Sequence, residues 1–192
     1  GLPTQAFSFG ERWGYVDDGE TPNTHLSVFD YDDVPLYIEI RGLPAAKGAN
    51  YMDAYRGVRM GNLIKFENGY FVGGRGGGCV RDNDFNKVKQ FPGDGGGTHQ
   101  QNFIDAIRAD DSSMLRSPIE ECHYSSSVCH MANTSYRIGQ HTEPAAVAES
   151  VQGYDEAVSQ FQDFQRHLNA NEIDLQENPI CLGPKLTMDI KK

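Results

Sequence analysis

Between residues 5 and 72 apolar positions mostly alternate with polar ones; beyond residue 98 they recur every third or fourth position. "QAFSFGERWGYV" sets Ala6, Phe7, Phe9, Trp13 and Tyr15 in an imperfect alternation. "THLSVFDYD" places Leu26 and Val28 on one face and Ser27, Phe29 and Tyr31 on the other. After a turn at Asp32-Asp33, "VPLYIEIRG" sets Leu36, Ile38 and Ile40 against Tyr37, Glu39 and Arg41. A period of two is the strand repeat, so the pair predicts a hairpin with one better-buried face. "MGNLIKFENGYFVGG" predicts a second hairpin turning at Glu67-Asn68-Gly69, because Asn-Gly accepts the positive φ of a tight turn.

The second half reads as helices. Thr98 as N-cap, with Gln101 completing a capping box, opens a helix with Phe103, Ile104, Ala106 and Ile107 on its apolar face. Ser117, Pro118 and Glu120 open another, with a stripe of Ile119, Cys122, Ser126, Cys129, Ala132 and Tyr136 and a stop at Gly139. A third spans about 154–169, its stripe being Ala157, Phe161, Phe164 and Leu168. The tail "ICLGPKLTMDIKK" predicts a returning strand. Strands before helices predict an α+β fold: an antiparallel-rich mixed open sheet with helices packed on one face. With no linker in view, residues 1–192 read as a single domain.

Composition narrows the partners. At 192 residues the chain can bury roughly 70% of its unfolded surface without staples. Its net charge of −10 argues against nucleic acid, and no apolar run approaches the roughly 18 residues that would cross a membrane. The four cysteines contain no Cys-x-x-Cys pair, and Cys122 and Cys129 stand two helical turns apart, too far for a disulfide. Free buried thiols, and no structural zinc, are expected. His123 and His130 share that interval; ligands two turns apart do not converge on one ion, so packing is expected there as well.

Glycine clusters invite a phosphate reading. "FPGDGGGTHQQNF" runs Gly93, Gly95, Gly96 and Gly97 into a helix N-terminus, where free N–H groups favour an anion. Counted from Gly93, the last position of G-x-G-x-x-G is Thr98, and no Gly-Lys-Ser/Thr follows. A strand-to-helix turn is therefore expected, with His99 a pocket candidate. In "VGGRGGGCV", Arg75 sits in a loop expected to be mobile and could grip a carboxylate or phosphate. The most polar loop is "GYVDDGETPNTH", where Asp17, Asp18 and Glu20 crowd near Arg12, Tyr15 and His25. Such carboxylates could serve a ligand or simply form turns. Candidate ligand contacts are Arg12, Tyr15, Asp18, Glu20, His25, Arg75 and His99; no catalytic constellation and no metal set is complete.

Three blocks carry a resemblance: "RWGYVDDGETPNT", "GGTHQQNFIDAIRADDSSMLRSPIEECHYSSSVCHMANTSYRIG" and "LGPKLTMD". Together they resemble the C-terminal domain of the glucose–fructose oxidoreductase / inositol dehydrogenase / MocA superfamily, in its bacterial dehydrogenase branch. That resemblance implies a dihydrodipicolinate-reductase-like α/β unit whose open sheet serves a substrate cleft on one side and homo-oligomer contacts on the other. It also implies an N-terminal Rossmann partner that holds NAD(P) and is absent from this chain, so no cofactor or catalytic residue is assigned here. The expected function is the substrate-binding and oligomerisation domain of a sugar or cyclitol oxidoreductase, inactive alone. Two alternatives stay open: a domain of an NAD-dependent glycosidase, and a non-catalytic carbohydrate-binding or scaffold module. Opening at "GLPTQAF", the chain reads as a piece of a longer protein, and its compartment stays undetermined.

Overall fold

The computed structural model describes residues 1–189 and has the expected α+β class, with two open antiparallel sheets. Contacts divide the chain into two compact units: Gly1–Asp53 with Glu120–Lys192 (unit 1), and Ala54–Ile119 (unit 2). No proline- or glycine-rich linker marks either junction, so the hydrophobic pattern offered no sign of the division.

Unit 1 is built on β1 (Gln5–Glu11), β2 (Thr24–Asp30) and β3 (Leu36–Arg41). The order is β3-β2-β1-β9-β8, with β10 also pairing with β1; β8 is Gln140–Thr142, β9 Ile180–Leu182 and β10 Leu186–Thr187. The tail thus returns as strands, its last three residues lying outside the described ones. Every pairing is antiparallel. Helices cover both faces rather than the one expected. Phe7, Phe9, Leu26 and Val28 pack against Val147 of α3 (Pro144–Ser150) and Ala157, Phe161, Phe164 and Leu168 of α4 (Asp155–Ala170). Ala6 and Phe29, on the opposite face, pack against Val128, Met131 and Ala132 of α2 (Ile119–Arg137). Both faces of β1 and β2 are apolar enough to be buried, and alternation alone does not say which of two faces receives a helix.

The α4 stripe is the one predicted. Phe9 meets Phe161 and Phe164 edge-on at 5.4 and 5.7 Å, and Trp13 meets Phe164 at 5.9 Å. Such pairs stabilise by about 0.5–1.5 kcal/mol each beyond their burial. The α2 stripe is a correction. Val128, Met131, Ala132 and Ser135 are buried, whereas Ile119, Cys122 and Cys129 are exposed. Only the C-terminal half of this helix reaches the sheet, so a stripe traced from its first turn drifts off the packed face. Cys79 and Cys181 are the two buried thiols, Cys122 and Cys129 are exposed rather than buried as expected, and none of the four is in a disulfide.

Charge is also buried in unit 1. Arg41 lies 2.7, 2.5 and 2.6 Å from Glu39, Asp53 and Asp163, its side chain 7% exposed. Fully buried His167 stands 3.0 Å from Asp53. The face of β3 that carries Tyr37, Glu39 and Arg41 is therefore the more enclosed one, while Leu36 and Ile40 are exposed.

Unit 2 is a four-stranded meander, β4 (Asn62–Phe66), β5 (Gly69–Gly74), β6 (Gly77–Arg81) and β7 (Lys87–Pro92), followed by α1 (His99–Ala109). The Asn68-Gly69 hairpin forms as expected. The loop around Arg75 is the tight turn, at Arg75-Gly76, that joins β5 and β6. Pro92 ends β7, an edge strand, where its missing N–H costs nothing. Thr98 makes no capping bond, and Gln101 binds Asp105 instead of closing a box. Of the predicted α1 face, Ala106 alone is buried.

Candidate functional site

Strand register in unit 1 aligns one rung across five strands: Ile40, His25, Gly10, Cys181 and His141. Directly paired residues share a face, and this is the face α2 covers. The end of α2 comes down beside the rung, because two glycines permit the approach. A Cβ on Gly139 would stand 2.8 Å from the Cys181 sulfur and from the Leu182 carbonyl oxygen; one on Gly183 would stand 2.2 Å from the Ser135 carbonyl oxygen.

There a cleft of about 310 Å³ opens, lined by Glu11, Glu20, Tyr136, Arg137, His141 and Cys181, with Gly139 at its edge. Glu11 organises it. One carboxylate oxygen accepts the Tyr136 hydroxyl at 3.0 Å and the Arg12 backbone N–H at 2.9 Å; the other lies 2.8 Å from His141 Nε2. Burial, and then the Glu11 charge, push the Tyr136 phenol well above its ordinary range, so it stays a hydrogen-bond donor. The Tyr136 ring packs edge-on against His25 at 5.6 Å. His25 is buried, and desolvation lowers its pKa to about 4, keeping it neutral. Cys181 donates to the Tyr136 carbonyl at 3.3 Å, and burial, then Glu11, raise its thiol pKa. It is thus a packing thiol rather than a nucleophile. Fixed donors, fixed acceptors and a rim bearing both signs of charge suit a polyhydroxylated ligand.

The seven predicted residues fall into three groups. Glu20 lines the cleft, and His25 supports Tyr136 from behind. Arg12 chelates Asp17 at 2.9 and 2.5 Å, which organises the loop and holds Asp17 below the usual carboxylate range. Tyr15 donates to the Gly42 carbonyl at 3.1 Å and lies under Arg12, and Asp18 is exposed. Arg75 and His99 belong to unit 2, where Arg75 donates to the Gly95 carbonyl at 2.7 Å. Glu11, Tyr136, Arg137, His141 and Cys181 were missed; the available signal was the run "SYRIGQH", polar groups crowded about a glycine at a helix end.

The glycine loop does not fit a nucleotide. Asp94 accepts the Gly96 N–H at 2.7 Å and the Thr98 hydroxyl at 2.8 Å, so a carboxylate already occupies the place of an anion. No group of three or more His, Cys, Asp or Glu among the described residues could hold a metal ion. No helix among them is long and apolar enough to cross a membrane.

No protein-family model matches the chain. No curated protein matches it either. Among solved structures it is similar to a Klebsiella pneumoniae protein described as a "putative oxidoreductase", over 69% of this chain at 10% identity with a TM-score of 0.41. The match spans 43% of that protein. A likeness at that score carries no argument about activity.

Proposed function

We propose that this chain is the substrate-binding and oligomerisation domain of an NAD(P)-dependent sugar or cyclitol oxidoreductase, and that the cleft of unit 1 holds the polyol. The observation that carries the reading is the convergence of Tyr136 and Arg137 with Glu11 and His141. Tyr136 and Arg137 close the helical block that resembles the superfamily, and they line the polar cleft. On this reading an N-terminal Rossmann partner holds the dinucleotide, and the glycine loop of this chain, filled by Asp94, has no part in it. What this chain supplies is orientation: Glu11 fixes the Tyr136 hydroxyl, while Arg137 and Glu20 flank a bound ligand with a donor and an acceptor.

A second copy of the chain is the proposed occupant of the apolar sheet face of unit 2. Ile64, Phe71, Val80 and Lys89 are register partners there, with Phe66 and Phe91 two residues along the same face and the Lys89 ammonium over the Phe91 ring. Ile64 is 50%, Phe66 59% and Phe91 40% exposed, an arrangement that suits a partner's apolar surface.

The test uses the full-length protein with myo-inositol and D-glucose as substrates and NAD or NADP as oxidant. Tyr136→Phe and Glu11→Gln are expected to raise KM about tenfold, the worth of one good hydrogen bond. Unchanged kinetics in both variants would remove the cleft from the reading. An aryl glycoside, assayed with no added cofactor, separates the glycosidase alternative by aglycone release.

A further inference from the structure

Two histidines among the described residues stand against a carboxylate. His167, 3.0 Å from Asp53, is fully buried and meets no ligand. His141, 2.8 Å from Glu11, has a side chain 62% exposed and lines the unit 1 cleft. Glu11 itself is held from several directions. Its Oε1 accepts the Tyr136 hydroxyl from the end of α2 and the Arg12 backbone N–H, and its Oε2 faces His141 Nε2 on β8. A carboxylate only accepts hydrogen bonds, so the proton of the neutral imidazole sits on Nε2. Nδ1 then carries the basic lone pair, and it has no partner among the described residues.

The other groups lining the cleft are unsuited to take a proton. Burial, and then the Glu11 charge, keep both Tyr136 and Cys181 protonated. Cys181 stands directly opposite His141 in the strand register. Arg137 is a permanent cation. Glu20, from the loop after β1, brings a carboxylate, intrinsically a weaker base than imidazole. A histidine oriented by a carboxylate behind it, with its second nitrogen open, is the arrangement that accepts a proton in acid–base chemistry. The carboxylate holds the ring and stabilises the imidazolium that forms.

We propose that His141 Nδ1 is the proton acceptor for a hydroxyl of the ligand in this cleft, with Glu11 as its positioning residue. The step rests on the oxidoreductase reading. The hydroxyl proton passes to His141 Nδ1 while the electron pair of the adjacent C–H bond leaves as hydride to a nicotinamide oxidant. The carbon becomes a carbonyl, and His141 is left as imidazolium against the Glu11 carboxylate. The chain therefore supplies a base as well as orientation.

Two measurements test it. Long-range proton–nitrogen NMR of the histidine rings in the full chain reads the tautomer directly. The expected result is Nε2–H for neutral His141, a mixture of tautomers in Glu11→Gln, and an Nδ1 resonance moved by saturating myo-inositol or D-glucose. An Nδ1–H tautomer, or a His141 ring indifferent to Glu11→Gln, would overturn the proposal. In the full-length enzyme His141→Gln, at an exposed position, is expected to lower kcat about 100-fold or more with KM little changed. An unchanged kcat would also overturn it; the cleft reading survives that result if Tyr136→Phe still raises KM. A wild-type enzyme that oxidises neither polyol removes the oxidoreductase reading and the proton transfer with it.

Discussion

Unit 1 and unit 2 solve the burial problem in opposite ways. Unit 1 sandwiches a sheet between helices and encloses Phe7, Phe9, Phe161, Phe164 and Leu168 almost completely. In unit 2 the buried apolar residues are Tyr70, Cys79 and Ala106, while Phe66, Phe103 and Ile107 are each more than half exposed. A sheet with an open, largely apolar face is poorly stabilised by itself and suited to pack against something else. The contrast teaches that the enclosed core and the polar cleft lie in unit 1, and the open apolar surfaces in unit 2.

Substitutions sharpen that contrast. The largest loss is expected from Phe164→Ala, about 3–5 kcal/mol in urea unfolding, since the ring is 1% exposed and touches Phe9 and Trp13. Next is Arg41→Met, at about 3 kcal/mol or more, because three enclosed carboxylates lose their shared cation. Acid should act on unit 1 through its buried histidines. His25 has its folded pKa lowered to about 4 by burial, and His167 is lowered by the same cause. The unfolded chain therefore takes up these protons first, and stability falls as pH drops from about 6.5 towards 4. The His25 share reaches about 3 kcal/mol. A Tm that holds steady between pH 7 and 5 would contradict this. Gly139→Ala, pressed against Cys181 and Leu182, is expected to cost about 1–3 kcal/mol. The smallest effect belongs to unit 2: Phe66→Ser should change stability of the dilute chain by about 0.5 kcal/mol or less, yet weaken self-association seen by sedimentation velocity. A loss there as large as at Phe164 would erase the distinction between the units.

What could be read in advance follows from where burial is one-sided. The α4 stripe at 157, 161, 164 and 168 was legible because one face of that helix is enclosed along its length. The α2 stripe was not, because its first turns are exposed and the helix packs only from Val128 onward. The α1 face Phe103, Ile104 and Ile107 has a sound helical period and no cover within the described chain. Periodicity shows that a face is apolar, not that anything lies on it. The cleft escaped for a further reason: Glu11, Tyr136, His141 and Cys181 come from four separate elements joined by register, and β8 and β9 are three residues each, too short to show alternation.

Hydrogen–deuterium exchange of the full chain, with and without saturating myo-inositol or D-glucose, tests the division of labour most directly. The account predicts slow exchange across β1, β2 and α4 in either state, fast exchange across β4–β7 in dilute solution, and new protection on ligand binding confined to residues 11–20, 136–142 and 180–182. Ligand-induced protection in residues 54–119 with none at 136–142 would contradict it.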